Sequence, residues 1–188
     1  MRLILASGSP RRSEILRSAG YEFEVIPSGE EEDIGPLPPQ ELVTSLALVK
    51  ARSVHALNVG AVVIGADTIV SIGVEILGKP ADEADAARML RLLSGRVHTV
   101  FTGVAVVSDG HSEHFFARTA VRFRALDDAL IARYVATGEP LDKAGAYGIQ
   151  ARGALLVESL EGDYFNIMGL PVARLAQRLE SGFGIRPF

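Results

Sequence analysis

The sequence predicts an α/β domain with a mixed β-sheet. Segments with helical periodicity alternate with apolar, strand-like segments, which is typical of α/β proteins. The dipeptide Asp109-Gly110 joins two β-rich segments and predicts a hairpin, which would break a purely parallel strand order. The chain has 188 residues without an internal repeat or a flexible linker, so we expect a single domain over residues 1–188.

The first third of the chain contains two strands and two helices. Ser9 is a good N-cap residue, Pro10 suits the first helical position, and Gly20 suits the end of that helix. Apolar periodicity marks the second, longer helix. The predicted elements are a strand at 2–6, a helix at 10–19, a strand at 22–27, an acidic, proline-rich loop at 28–38 and a helix at 39–57.

The middle of the chain is richer in strands. A long apolar segment is followed by Gly73, which predicts a tight return to a partner strand. Asp82 caps the next helix, and Gly95 ends it. The predicted elements are strands at 61–72 and 75–77, a helix at 82–93, and the two hairpin strands at 97–107 and 114–124.

The last third begins with a helix that Asp127 caps and that ends near Gly138. A loop rich in glycine and polar groups follows, because 139–153 has no apolar periodicity. A short strand at 155–158 and a final helix from Pro171 to about residue 181 complete the prediction.

Composition excludes several classes of function. There is no cysteine, which excludes disulfides, thiolate zinc sites and cysteine nucleophiles. The net charge of −4 and the absence of Trp disfavour a nucleic-acid-binding protein. No apolar run reaches the ~20 residues of a membrane span, and the run before Ser7 is too short for an export signal. We therefore expect a cytoplasmic protein that binds neither nucleic acid nor membranes.

The turn at 7–12 departs from the usual chemistry of a helix start. Arg11 and Arg12 place cations at the positive end of the helix dipole, which costs about 0.3–1 kcal/mol per charge without a compensating anion. The hydroxyls of Ser7 and Ser9, the backbone N–H groups and the two guanidinium groups together suit a phosphate. The alternative is an ordinary capped helix with surface arginines.

Asp67 is the strongest single indication of chemistry. It lies within an apolar strand, where a carboxylate is costly unless it is partnered or functional. Gly65 and Ala66 before it are small and would let a ligand approach. The carboxylate suits a metal ligand or a general base for water, and the alternative is a structural Asp that caps a bulge or loop.

Three lysines are further candidates for phosphate binding: Lys50 on the long helix, Lys79 in a Gly-Lys-Pro turn, and Lys143 in the glycine-rich loop. A P-loop is excluded at Lys79, because Pro80 stands where that motif needs a Ser or Thr for Mg²⁺. Gln150 ends the loop at 142–150 and offers an amide to the edge of a base. That loop alone is equally compatible with an ordinary surface loop.

The acidic run at 30–33 offers a second carboxylate for a metal. Glu32 would join Asp67 around Mg²⁺ or Mn²⁺, since both cations prefer oxygen ligands. The register of the run leaves Glu31 as an alternative to Glu32. Taken alone, the run is more simply a solvated loop.

Six motifs, spread over nearly the whole chain, resemble those of the Maf family of nucleoside triphosphate pyrophosphatases, and they occur in the same order. They run from Ser7 to Arg12, Gly65 to Thr68, Gly78 to Pro80, Ser94 to Gly103, Asp142 to Gln150 and Gly169 to Pro171. The resemblance implies an inosine-triphosphatase-like fold, an elongated mixed sheet flanked by helices with a central cleft between two lobes. It also implies metal-assisted hydrolysis of a nucleoside triphosphate to the monophosphate and pyrophosphate.

Site roles follow from the same resemblance. Asp67 corresponds to the family's proposed proton acceptor, and Arg11, Thr68 and Gln150 match the branch that acts on dTTP and UTP. The sister branch, which prefers 7-methyl-GTP, differs at these positions. Ala151 departs from the pattern, because Gly commonly follows the Gln. The expected phosphate ligands are Ser7, Ser9, Arg11, Arg12, Lys50, Lys79 and Lys143, and the expected metal ligands are Asp67 and Glu32.

Three other interpretations remain open at the level of sequence. The family is associated with arrest of cell division, so one is a nucleotide-binding regulator of septum formation without catalysis. A nucleic-acid-binding domain that uses the arginine-rich turn is disfavoured by the net charge. A different nucleotide hydrolase on the same fold would differ mainly in substrate. A homodimer is compatible with the sequence, although no clear apolar patch supports it.

Overall fold

A computed structural model describes residues 1–29 and 34–188 of the chain. Within these residues a mixed sheet of seven strands has the order β2-β1-β3-β5-β6-β7, with β4 paired to β3. The strands are β1 (Leu3–Leu5), β2 (Glu24–Val25), β3 (Val62–Ile72), β4 (Glu75–Leu77), β5 (Val97–Ser108), β6 (His111–Phe123) and β7 (Val157–Glu161). Strand β1 pairs in parallel with β2 and β3, whereas β4 pairs antiparallel with β3 and β7 with β6. The predicted mixed α/β class is confirmed.

The helices begin close to where their capping residues predict. They are α1 (Pro10–Ser18), α2 (Pro39–Ala56), α3 (Glu83–Leu93), α4 (Asp128–Val135), α5 (Tyr164–Ile167) and α6 (Val172–Phe183). Asp82 and Asp127 both accept a backbone N–H at their helix starts, as expected of Asp caps. None of the helices in the described part of the chain is long and apolar enough to cross a bilayer.

The structure differs from the prediction at three places. The segment predicted as a loop at 139–153 contains short 3-10 helices at Glu139–Asp142 and Ala144–Ala146 and the start of a third at Ala151–Leu156. That third helix displaces the predicted strand at 155–158, so β7 begins at Val157. Helix α5 was not predicted, because four residues are too few to show a helical period.

The chain divides into two compact units. The first unit comprises Met1–Asp67, Thr102–Ala117 and Gly169–Phe188, and the second comprises Thr68–Phe101 and Arg118–Met168. Small and β-branched residues dominate one buried cluster of the first unit: Ile4, Ala6, Ala47, Ala51, Val54, Ala61, Val63, Ala105 and Val107. In the second unit, α3, α4 and the ends of several strands enclose a larger cluster that includes Phe123, Tyr134 and Tyr147.

Helix α2 packs unusually close to two strands of the first unit. A Cβ on Gly65 would collide with the carbonyl oxygen of Ala47, and a Cβ on Gly103 would collide with that of Val43. Only glycine therefore allows this approach at either position. Gly65 was expected to leave room for a ligand; instead, that room holds the backbone of α2.

Candidate active site

The turn between β1 and α1 has the predicted backbone but a different hydrogen-bond pattern. Ser9 occupies the N-cap position with an extended backbone, and Pro10 is in the first turn, yet the Ser9 side chain makes no capping hydrogen bond. The backbone N–H of Ser9 instead donates to Oγ of Ser7 at 3.3 Å. The hydroxyl of Ser7, which is almost fully buried, is thus part of the turn itself.

Arg12 ties this turn to a distant part of the first unit. Its Nε donates to the carbonyl oxygen of Gly169 at 2.8 Å, and its Nη1 donates to Oγ of Ser7 at 3.0 Å. Burial lowers the pKa of Arg12, the nearby Asp67 carboxylate opposes that shift, and the neighbouring Arg11 adds to it. The guanidinium therefore links the Ser7–Arg12 motif to the Gly169–Pro171 motif, a relationship that neither motif predicts.

Asp67 and Lys50 form a partly buried ion pair. The Nζ of Lys50 lies 2.6 Å from Oδ1 of Asp67, and the two side chains are 22% and 17% exposed. The close approach of α2 to β3 at Gly65 brings the two backbones within reach of this contact. The carboxylate in the apolar strand is therefore partnered by a cation, which offsets its desolvation.

The candidates in the second unit fall around the loop at 142–150. The Nζ of Lys143 donates at 2.6 Å both to the carbonyl oxygen of Glu139 and to Oδ1 of Asp142. The N–H of Gly145 donates to the carbonyl oxygen of Gly78 at 3.0 Å, which joins this loop to the Gly-Lys-Pro turn. Lys79 in that turn is exposed.

Gln150 and Thr68 are both partly exposed, Gln150 beside the third 3-10 helix and Thr68 on β3. Ala151, directly after Gln150, has φ = 52°, in the left-handed region. A non-glycine residue in that region carries strain of about 1–2 kcal/mol. The structure thus explains why glycine suits this position, and why Ala151 is a departure with a physical cost.

The expected metal ligands are only half described. Glu32 lies outside the described residues, whereas Asp67 lies on β3. Residues 1–29 and 34–188 contain no group of three or more His, Asp or Glu side chains that would hold a metal by themselves.

Three buried side chains of the second unit, His98, Tyr134 and Tyr147, form hydrogen bonds that the sequence does not predict. His98 is buried on β5, and its Nε2 lies 2.8 Å from the hydroxyl of Tyr147. Burial lowers the pKa of His98 to about 4. Tyr134 hydrogen-bonds to Glu139 in the same unit. The sequence does not predict these hydrogen bonds, because the partners are 49 and 5 positions apart and share no recurrent spacing.

Comparisons with known proteins agree with the resemblance. The model of the family described as "Maf-like protein" matches residues 2–182. A dTTP/UTP pyrophosphatase of Bacillus pumilus (strain SAFR-032) is 52% identical over 187 residues, covering 99% of this chain and 98% of that protein. A dTTP/UTP pyrophosphatase of Bacillus mycoides (strain KBAB4) is 51% identical over 180 residues, covering 95% and 94%.

Two solved structures align over part of the chain. A nucleoside-triphosphatase, or dITP/XTP pyrophosphatase, from Mycobacterium abscessus has a TM-score of 0.42 at 18% identity, covering 67% of this chain and 76% of that one. The Ham1 protein of Staphylococcus aureus has a TM-score of 0.45 at 14% identity, covering 65% and 72%. The match to the family model over nearly every residue, together with relatives that share half of the sequence, shows that the chain belongs to the Maf family.

Proposed function

We propose that this protein hydrolyses dTTP and UTP to the nucleoside monophosphate and pyrophosphate. The observation that carries the proposal is the name shared by relatives that are about half identical over at least 95% of the chain, dTTP/UTP pyrophosphatase. Arg11, Thr68 and Gln150, the residues that match this branch of the family, are all present. The ion pair of Lys50 and Asp67 supplies the charged groups that such a reaction needs.

Cations of the first unit would bind the triphosphate. Arg12 is held in a fixed orientation by Ser7 and Gly169, and a fixed guanidinium needs little reorganisation when an anion binds. Arg11 lies beside it in the first turn of α1, and Lys50 is a further ammonium group within the same unit. In the second unit, Lys79 and Lys143 are the proposed phosphate ligands.

Asp67 is the proposed general base. Its carboxylate would accept a proton from a water molecule as that water attacks the α-phosphorus, and pyrophosphate would leave with the electrons of the broken P–O bond. One water is consumed for each monophosphate and pyrophosphate released. Lys50 would orient the carboxylate through its bond to Oδ1, and Oδ2 would then face the water and a cation.

The residues at Asp67 fit a divalent cation. Mg²⁺ and Mn²⁺ commonly bind through one or two carboxylates plus the phosphates of the substrate, so a single partly buried Asp is a sufficient protein ligand. Asp67 is the proposed ligand, with Glu32 of the acidic run as the second. When bound, the cation would neutralise charge on the triphosphate.

The side chains of Thr68 and Gln150 are proposed to select the base. An amide such as that of Gln150 both donates and accepts a hydrogen bond, which suits the edge of a pyrimidine. The proposal requires one binding partner, the nucleoside triphosphate substrate. It also implies that the protein acts in the cytoplasm.

The test measures pyrophosphate release from a panel of nucleoside triphosphates with Mg²⁺ or Mn²⁺. We expect turnover of dTTP and UTP that exceeds turnover of the purine triphosphates and of 7-methyl-GTP, with equal amounts of monophosphate and pyrophosphate. Release of single phosphates would indicate a different hydrolase. Nucleotide binding without any turnover would instead support a nucleotide-binding regulator.

A further inference from the structure

Two side chains outside the six motifs bind both ends of the segment that carries Gln150. The hydroxyl of Tyr134, on α4, donates to Oε1 of Glu139 at 3.0 Å and accepts the N–H of Gly148 at 3.3 Å. The same Oε1 of Glu139 accepts the N–H of Gly153 at 3.0 Å. The N–H groups of Gly148 and Gly153, which lie two residues before and three residues after Gln150, thus donate to two side chains that are hydrogen-bonded to each other.

The segment between these two anchors is tightly closed. A Cβ on Gly153 would collide with the carbonyl oxygen of Gly148 and would lie 2.8 Å from the hydroxyl of Tyr134. Only glycine allows the two ends to approach each other this closely. Ala151 adopts a left-handed backbone within the same segment. Ala151, next to Gln150, is thus held in a backbone conformation that alanine does not favour.

Burial of Tyr134 makes its bond to Glu139 energetically important. Tyr134 is only 4% exposed, and its ring packs in the main hydrophobic cluster of the second unit. Burial also raises the pKa of Tyr134, so the hydroxyl stays protonated and can donate to Glu139. Losing one member of such a network leaves buried partners unsatisfied, which costs more than the bond itself contributes.

We propose that Tyr134 and Glu139 are positioning residues that hold Gln150 for recognition of the nucleotide base. The proposal rests on the function proposed above and deepens it. Neither side chain is required to touch the substrate. Their role follows from where their hydrogen bonds end, at Gly148 and Gly153, on either side of Gln150.

Positioning of this kind acts on selectivity more than on the chemical step. Hydrogen-bonding groups discriminate between ligands only when their supporting residues hold them within about 0.5 Å of the productive position. A Gln150 amide released from its anchors would still be present but would lose its preferred direction. Pyrimidine triphosphates would then lose more binding than purine triphosphates, which do not match the amide in the first place.

The experiment compares Tyr134→Phe, Glu139→Ala and Glu139→Gln with the wild type. Tyr134→Phe keeps the ring and removes the hydroxyl, whereas Glu139→Gln retains an acceptor oxygen for Gly153. Tyr21→Phe is the matched control, since Tyr21 is also 4% exposed and its hydroxyl has no hydrogen-bond partner among the described residues. The measurements are kcat and KM for dTTP and dGTP, and hydrogen–deuterium exchange of the peptide that covers 148–153.

For Glu139→Ala we expect the ratio of kcat/KM for dTTP to that for dGTP to fall by about tenfold, mainly through a higher KM for dTTP. Exchange at 148–153 should rise. Tyr134→Phe should act in the same direction, Glu139→Gln should restore most of the ratio, and Tyr21→Phe should leave both readouts unchanged.

The outcomes separate the two proposals. An active wild type whose variants keep the same ratio, even with lower melting temperatures, would show that Tyr134 and Glu139 serve only stability. Unchanged exchange at 148–153 in Glu139→Ala would likewise overturn the positioning role. A wild type that releases no pyrophosphate from any nucleotide would overturn the proposed function, and the positioning role would fall with it.

Discussion

The ammonium of Lys50 and the carboxylate of Asp67 form a 2.6 Å ion pair that joins α2 to β3. Seventeen residues separate the two along the chain, and the glycine at position 65 lets their backbones come close enough to pair. The pair accounts for a charged residue in an otherwise apolar strand. A substitution of Lys50 should therefore change the environment of the carboxylate that is proposed to act as the base.

Asp67→Asn should lower kcat for dTTP by about 100-fold or more, because an amide cannot accept the proton of the attacking water. The substitution keeps the size of the side chain and an oxygen for Lys50, so we expect little change in melting temperature. Steady-state kinetics with dTTP and thermal unfolding measure the two effects. Wild-type turnover in this variant would remove Asp67 from the mechanism.

Lys50→Met should lower both stability and activity, since it leaves the Asp67 carboxylate partly buried without its cation. We expect a loss of about 1–3 kcal/mol in the free energy of unfolding. In a double-mutant cycle with Asp67→Asn, the stability lost by the double variant should be smaller than the sum of the two single losses by about 0.5–3 kcal/mol. Additive losses, measured by urea denaturation, would mean that the pair contributes nothing beyond its two members.

Arg12→Ala should cost more stability than Arg11→Ala. The former leaves the carbonyl oxygen of Gly169 and the hydroxyl of Ser7 without their donor, at a cost of about 2–4 kcal/mol. Arg11→Ala should cost about 1 kcal/mol or less and should lower kcat/KM by about tenfold or more, because Arg11 is proposed to bind the phosphates. Thermal unfolding and kinetics of the two variants give the comparison. Equal melting temperatures would contradict the structural role of Arg12.

Ala151→Gly should stabilise the protein by about 0.5–1 kcal/mol. Glycine removes the strain of a left-handed residue at φ = 52°, and this gain exceeds the extra entropy that glycine loses on folding. Ala154→Gly, in the same 3-10 helix but without a positive φ, is the control and should destabilise. A lower free energy of unfolding for Ala151→Gly would argue against the left-handed conformation.

His98 should make stability depend on pH below neutrality. Its pKa falls from 6.5 when unfolded to about 4 when buried, so the unfolded chain binds an extra proton between these values. The contribution of neutral, buried His98 to the free energy of unfolding is fully present above pH 6.5. It is lost as the pH falls toward 4, for a total of about 3 kcal/mol. Denaturation between pH 4 and 8 should show a shallower slope for His98→Gln than for wild type, and equal slopes would contradict this burial effect.

Local chemistry was enough to predict most elements, as helix α3 illustrates. Asp82 caps α3 through a hydrogen bond to a residue three positions later, an interaction that the sequence displays directly. The loop at 142–150 was harder to predict, because Lys143 and the N–H of Gly153 both donate hydrogen bonds to Glu139, which lies outside the loop. Such contacts have no period and no fixed spacing to detect.

The sequence by itself determined the α/β class, the ends of the main helices and membership of the Maf family, since all three are written in short stretches of neighbouring residues. Only the tertiary structure decided which polar groups meet. Arg12 reaches a carbonyl oxygen 157 residues away, and Lys50 reaches Asp67 only because α2 packs against a glycine. Partners so distant along the chain are selected by the packing of whole elements, which local propensities do not encode.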